Sequence, residues 1–174
     1  MRAVTTLIVL TFLTGCSESS DAERAAPPAR RVSEYAVLTS DAWTLQEAID
    51  PPPDDPIAGV ERPPLEWYSE YVRTVGNESQ MVRLSGHQAR LDETQAELES
   101  LGFGFADVAV EGWSAVGGSA PGDPSGPAII LLDGDEATLM LLSYELDLDE
   151  LVGTATGIEP VSKAAWVDAG GVIR

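Results

Sequence analysis

The run Ala128–Leu132 (AIILL), the tetrapeptide Asp133-Gly134-Asp135-Glu136 and the run Ala137–Glu145 (ATLMLLSYE) limit most strongly what this chain can fold into. Asp-Gly between two apolar runs is a strong short-range signal for a β-hairpin. Strand side chains alternate between faces, so Leu139 and Leu141 point one way and Met140, Leu142 and Tyr144 the other. A strand apolar on both faces must be covered on both. The hairpin therefore belongs inside a layered structure, with the final helix expected to cover one face.

That helix is well marked. Asp147 and Glu150 make a capping box, and Leu146 with Leu151 can form the hydrophobic staple. Leu148, Leu151, Val152 and Ala155 recur at helical spacing, and Gly157 suits its end. Upstream, Leu65–Val75 and Met81–Leu91 read as a hairpin around Gly76-Asn77-Glu78. A helix is expected from Asp92, with Gln95 completing a capping box, Gly102 at the left-handed C′ position and Phe103 packed back on Leu98. Strands are expected near Phe105–Val110 and Trp113–Val116, followed by a loop over Gly117–Pro127. Asp41–Pro64 holds six prolines and reads as irregular, with at most a helical turn around Leu45–Ile49. The sum is an α+β fold: a curved antiparallel β-sheet of about five to six strands packed against two short helices, the C-terminal helix covering one face.

The amino terminus carries a different kind of signal. Arg2 supplies a positive charge, Ala3–Leu13 is apolar, and the small residues Thr14 and Gly15 precede Cys16, the one cysteine of the chain. Eleven residues fall short of the roughly 20 apolar residues that a membrane-spanning helix needs. Leu13-Thr14-Gly15-Cys16 resembles the lipobox of bacterial lipoprotein signal peptides. The resemblance implies cleavage between Gly15 and Cys16 and a diacylglycerol attached through sulfur to Cys16, the new N-terminus. Two acyl chains meet the requirement for stable anchoring, each buried methylene contributing about 0.8 kcal/mol. Residues 1–15 are then a cleaved signal peptide and 16–31 the lipidated N-terminus and a flexible tether. A proline-rich lead-in (32–64) and an α+β globular domain (65–174) follow.

With Cys16 consumed, no thiol remains for a disulfide, a zinc site or a nucleophile. From Val32 onward the chain has 26 acidic and 6 basic side chains. Such a surface argues against nucleic acid, which is bound by Lys and Arg neutralising phosphates. Anionic headgroups would repel it too, which leaves anchoring to the lipid.

A second resemblance runs from about Met81 to Trp166. It is carried by Leu84-Ser85-Gly86-His87, Gly112-Trp113, Asp147-Leu148-Asp149-Glu150-Leu151-Val152 and a terminal Pro160…Trp166. The order of elements resembles small actinobacterial envelope lipoproteins and anti-sigma-factor-linked domains of unassigned function. Larger domains of similar shape curve a sheet around helices and hold a lipid, which implies an apolar ligand as one partner.

Chemistry has few candidates. His87 is the one histidine, so a hydrolase would have to be built on it, yet no G-x-S-x-G elbow is present. Asp133-Gly134-Asp135-Glu136 has Ala137 and Thr138 where a calcium loop needs an oxygen ligand and a glycine. Asp54 and Asp55 read as loop charge, and Gly117–Gly126 follows no phosphate-binding spacing. Trp43, Trp67, Trp113 and Trp166, with Tyr68 and Tyr71, could line a groove, but aromatic residues on sheet faces are more commonly core. The expectation is a non-enzymatic binding or regulatory module of the cell envelope, without cofactor or metal. It is lipid-anchored at the cell membrane through Cys16, with the domain on the extracytoplasmic side. An unknown envelope protein or an apolar ligand is its partner.

Overall fold

A computed structural model describes residues 35–50, 65–120, 126–134 and 137–174. The expected Asp-Gly hairpin is present as β7 (Ala128–Gly134) and β8 (Ala137–Ser143). On β7 four consecutive residues, Ile129 to Leu132, are almost wholly buried. Each such side chain contributes about 1.5–3 kcal/mol relative to exposure, so this pair is a major part of the core.

Cover comes from both sides, as the pattern requires. Helix α2 (Leu148–Ala155) packs on one face of β7 and β8, burying Leu151 and Ala155 among Ile130, Leu139 and Leu141. Helix α1 (Leu91–Ser100) lies on the other face, where Leu91, Leu98 and Phe103 meet Ile129, Leu131 and Met140. We call these the inner and outer faces.

The fold class corrects the expected one. Ten strands and three short helices make the described protein mostly β rather than α+β with five to six strands. Besides β7 and β8 the main sheet contains β2 (Thr44–Asp50), β3 (Leu65–Val75), β4 (Glu78–His87), β5 (Gly104–Asp107), β6 (Ala115–Ser119) and β10 (Val172–Ile173). Their order is β10-β2-β3-β4-β8-β7-β6-β5. All neighbours are antiparallel except β10 and β2, which run parallel, so the sheet is mixed. It consists of two meanders, β2-β3-β4 and β5-β6-β7-β8, joined where β4 pairs with β8. A separate antiparallel pair, β1 (Tyr35–Leu38) with β9 (Ile158–Val161), lies on the inner face beside β3 and β4. A third helix, α3 (Lys163–Asp168), contacts β1. Helix α2 therefore covers a face as expected, but it is not the last element of the chain.

The missed strands have physical reasons. Residues 35–50 hold β1 and β2 rather than an irregular lead-in. A bulge between Leu45 and Glu47 shifts the register of β2. It puts Leu45, opposite Tyr71, and Ala48, opposite Ser69, on the same inner face although they are three residues apart. That spacing is helical, which is why the segment reads as a helical turn. Gly117 and Gly118, expected in a loop, lie in β6. A Cβ on Gly117 would sit 2.8 Å from Val108 and 2.9 Å from Leu148, and one on Gly118 would sit 2.3 Å from the Gly104 carbonyl oxygen. These glycines serve close packing rather than a turn.

The first expected helix is present with a shifted start. Arg90 is its N-cap, and Glu93, not Gln95, reaches back to the N-cap N–H. Its end is as expected: Gly102 is left-handed at φ 95°, its N–H donates to the Glu99 carbonyl, and the Phe103 N–H donates to Leu98.

Under β3 and β4 the inner face is filled by three rings. Tyr35, Trp67 and Trp166 are each at most 2% exposed, with centroids 5.0 to 6.0 Å apart. Trp67 lies against its cross-strand neighbour Gly86, where a Cβ would come within 2.5 Å of the indole Nε1. Alanine normally replaces a strand glycine at no loss or a gain. Here Gly86→Ala is expected to destabilise the protein by about 1–3 kcal/mol through overpacking. Most of that loss should vanish in a Trp67→Leu background, as read from urea midpoints. Equal losses in both backgrounds would show that the indole is not the obstacle.

Candidate functional site

Gly15 and Cys16 lie outside the described residues, as do Asp54, Asp55, Asp135 and Glu136. Asp133 sits within β7 opposite Thr138, part of a ladder that continues to Gly134 and Ala137. The Asp147 carboxylate accepts the Glu150 N–H at 2.8 Å, the helix-capping role its position suggests. All four tryptophans and Tyr71 are core residues, each at most 8% exposed. Among the described residues no three His, Cys, Asp or Glu side chains gather to hold a metal ion. No helix among them is long and apolar enough to cross a membrane.

His87 does have a hydroxyl neighbour. Ser85 Oγ lies 3.1 Å from His87 Nε2, both on the outer face of β4. The distance suits a nucleophile and its base. The surroundings do not. Ser85 is fully buried and His87 is 6% exposed. Ser85 and Gly86 also stand in a central strand, opposite Tyr68 and Trp67 on β3 and Met140 and Leu139 on β8. Their backbone N–H groups are committed to the two ladders, so neither can stabilise an oxyanion. The contact satisfies a buried hydroxyl.

Next along the outer face is a polar array. The Tyr68 hydroxyl donates to Glu47 Oε2 at 2.6 Å. Arg83 lies 5.2 Å above the Tyr68 ring and binds Glu70 at 2.6 Å. The register places Glu47, Glu70 and Arg83 in one cross-strand row. Burial, followed by the hydrogen bond to Glu47, pushes the Tyr68 hydroxyl up to about 12. On the inner side the Tyr35 hydroxyl donates to Asp50, which also binds Lys163 at 3.4 Å. Burial and then Asp50 raise Tyr35, and burial raises Tyr71.

A surface hollow of about 430 Å³ opens where the β1–β2 turn, the end of α2 and β3 meet. Thr39, Trp43, Arg73, Glu150, Gly153 and Thr154 are among the residues around it. The Arg73 guanidinium lies 4.7 Å from the centre of the Trp43 ring, and its Nε donates to Gln80 at 2.7 Å. Arg73 stands opposite Gln80 across the β3–β4 hairpin. The β3–β4 hairpin was readable in the sequence, although Gln80 precedes the expected second strand, Met81–Leu91. The approach of Thr39 to Gly157 was not, because it depends on the long-range β1–β9 pairing.

Alkaline pH should weaken the fold through the buried phenols. An unfolded tyrosine loses its proton near 10, whereas Tyr68 keeps its proton until about 12. Its contribution is therefore intact below pH 10 and falls as pH rises from about 10 towards 12. Urea midpoints across that range should decline, and Tyr68→Phe should flatten part of the decline. A flat wild-type profile would refute the assignment.

No family model matches this chain, and neither a curated protein nor a solved structure does.

Proposed function

We propose that this chain is a lipid-anchored, non-enzymatic binding or regulatory module of the cell envelope, held at the membrane through Cys16 with its domain on the extracytoplasmic side. The observation that carries the reading is Leu13-Thr14-Gly15-Cys16 at the end of the apolar run Ala3–Leu13. The diacylglyceryl group provides the anchor, and residues 17–31 provide reach. The acidic surface supports a division of labour: the domain is repelled by anionic headgroups and stands off the bilayer, while the lipid holds it there.

A non-enzymatic role is supported by the buried Ser85–His87 contact, which lacks both access and oxyanion donors. Binding at the surface is favoured over carriage of an apolar guest, because Tyr35, Trp67 and Trp166 occupy the space beneath β3 and β4 that a guest would need. The partner is accordingly met at the domain surface.

Cys16→Ala tests the anchor. The expected result is an uncleaved precursor that takes up no labelled fatty acid and leaves the detergent phase on phase partition. Normal processing and unchanged partition of the variant would overturn the assignment.

A further inference from the structure

The hollow between the β1–β2 turn, α2 and β3 combines features that select a particular ligand chemistry. One wall is cationic. Arg73 is held in place by Trp43 beneath it and by Gln80 at its Nε, so its remaining N–H groups are pre-organised. A carboxylate sits directly beside it: Glu150 Oε1, from the first turn of α2, pairs with Arg73 Nη2 at 3.9 Å. An anion meets Glu150 and a cation meets Arg73, so the pair favours neither sign, whereas a neutral polar molecule is repelled by neither member.

Hydroxyl groups narrow the class further. Thr39 Oγ1 donates to the Gly157 carbonyl, Thr154 Oγ1 to Glu150 and Thr156 Oγ1 to Gly153. With their protons engaged, these three oxygens, all on residues around the hollow, keep acceptor lone pairs, while Arg73 keeps donors. A ligand that suits this array must both donate and accept from adjacent atoms, as vicinal hydroxyls do. Trp43 and Ala42, also among the lining residues, add a small apolar component suited to the C–H groups of a ring.

An independent observation comes from Gly153. It lies inside α2, where glycine is the poorest helix former apart from proline. Its φ is not left-handed, and a Cβ built on it would meet nothing within 4 Å. Neither backbone geometry nor packing explains this glycine, unlike Gly86, Gly117 and Gly171, where a neighbour occupies the space. What the missing side chain does is leave this part of the hollow's lining bare.

We infer that this hollow is a binding site for a neutral sugar. The inference rests on the binding-module reading but not on the anchor. Failure of Cys16 processing and failure of sugar binding are separate results, and either can occur without the other. The test uses the full chain, labelled with nitrogen-15, in a zwitterionic detergent that contains no sugar. Glucose, mannose and N-acetylglucosamine are titrated, with inorganic phosphate and spermidine as charged probes. At least one sugar should produce saturable shifts of the Trp43 indole N–H, the Arg73 Nε–H and the Gly153 amide, and the charged probes should leave these signals in place. Gly153→Gln should lose at least tenfold in affinity without a lower melting temperature, since glutamine favours the helix but intrudes on the hollow. The inference is overturned if none of the sugars moves these signals, if phosphate or spermidine moves them more, or if a folded Gly153→Gln variant binds as the wild type does.

Discussion

The seat of Trp67 on Gly86 is the contact on which the inner layer depends. Any side chain opposite Trp67 would occupy the space that its indole takes against β4. Gly86 removes one side chain so that the indole can lie flat on β4, and Tyr35 and Trp166 then close over it. Those two rings come from opposite ends of the described chain. Tyr35 brings β1, and Trp166 brings α3, which is in turn followed by β10 at the edge of the sheet. A second glycine repeats the arrangement, since a Cβ on Gly171 would lie 2.1 Å from the Trp166 ring. The trio thus fastens both ends of the described chain to the middle of the sheet without a disulfide.

The other half of the molecule is organised by a different demand. β7 and β8 are apolar on both faces, so the chain must cross each face once. It does so with its two longer helices. α1 carries the chain from central β4 out to edge strand β5 and covers the outer face on the way. α2 leads back from β8 across the inner face towards β9. Each helix is at once a connection and a cover, which is why two short helices suffice for that hairpin.

Local rules made much of this legible. The β7–β8 hairpin, the β3–β4 hairpin with its Gly76 turn at φ 65°, the Asp147–Glu150 cap and the Gly102 helix end are each set by a few adjacent residues. What escaped was set by contacts distant in sequence. β1 is four residues long and gains its strand character from β9, more than a hundred residues away. β10 is two residues long and exists only against β2. The glycines of β6 resembled a loop because the atoms that exclude their side chains belong to Val108, Leu148 and Gly104. The candidate sites divide in the same way. The lipobox is contiguous and can be read directly, whereas the hollow takes one wall from the β1–β2 turn, one from α2 and one from β3.

The scarce positive charges follow one pattern. Among the described residues only Arg73, Arg83, Arg90, Lys163 and Arg174 are basic, and three of the five lie over an aromatic ring. Arg73 covers Trp43, Arg83 covers Tyr68, and Lys163 covers Tyr35, each with a carboxylate beside it in Glu150, Glu70 and Asp50 respectively. An exposed cation–π contact contributes roughly 0.5–1 kcal/mol, and an exposed ion pair no more than about that. Neither is large alone. Placed at the rims where the sheet meets its covering layers, they close the borders of a core whose exterior is otherwise dominated by acidic groups that repel one another. Of the three, Arg73 makes the loosest ion pair, at 3.9 Å against 2.6 Å for Arg83 and 3.4 Å for Lys163. It also lines a hollow. A guanidinium held by an aromatic ring and an amide, but only weakly by a carboxylate, keeps donors available to a ligand, so the loosest rim contact is also the one best placed to bind.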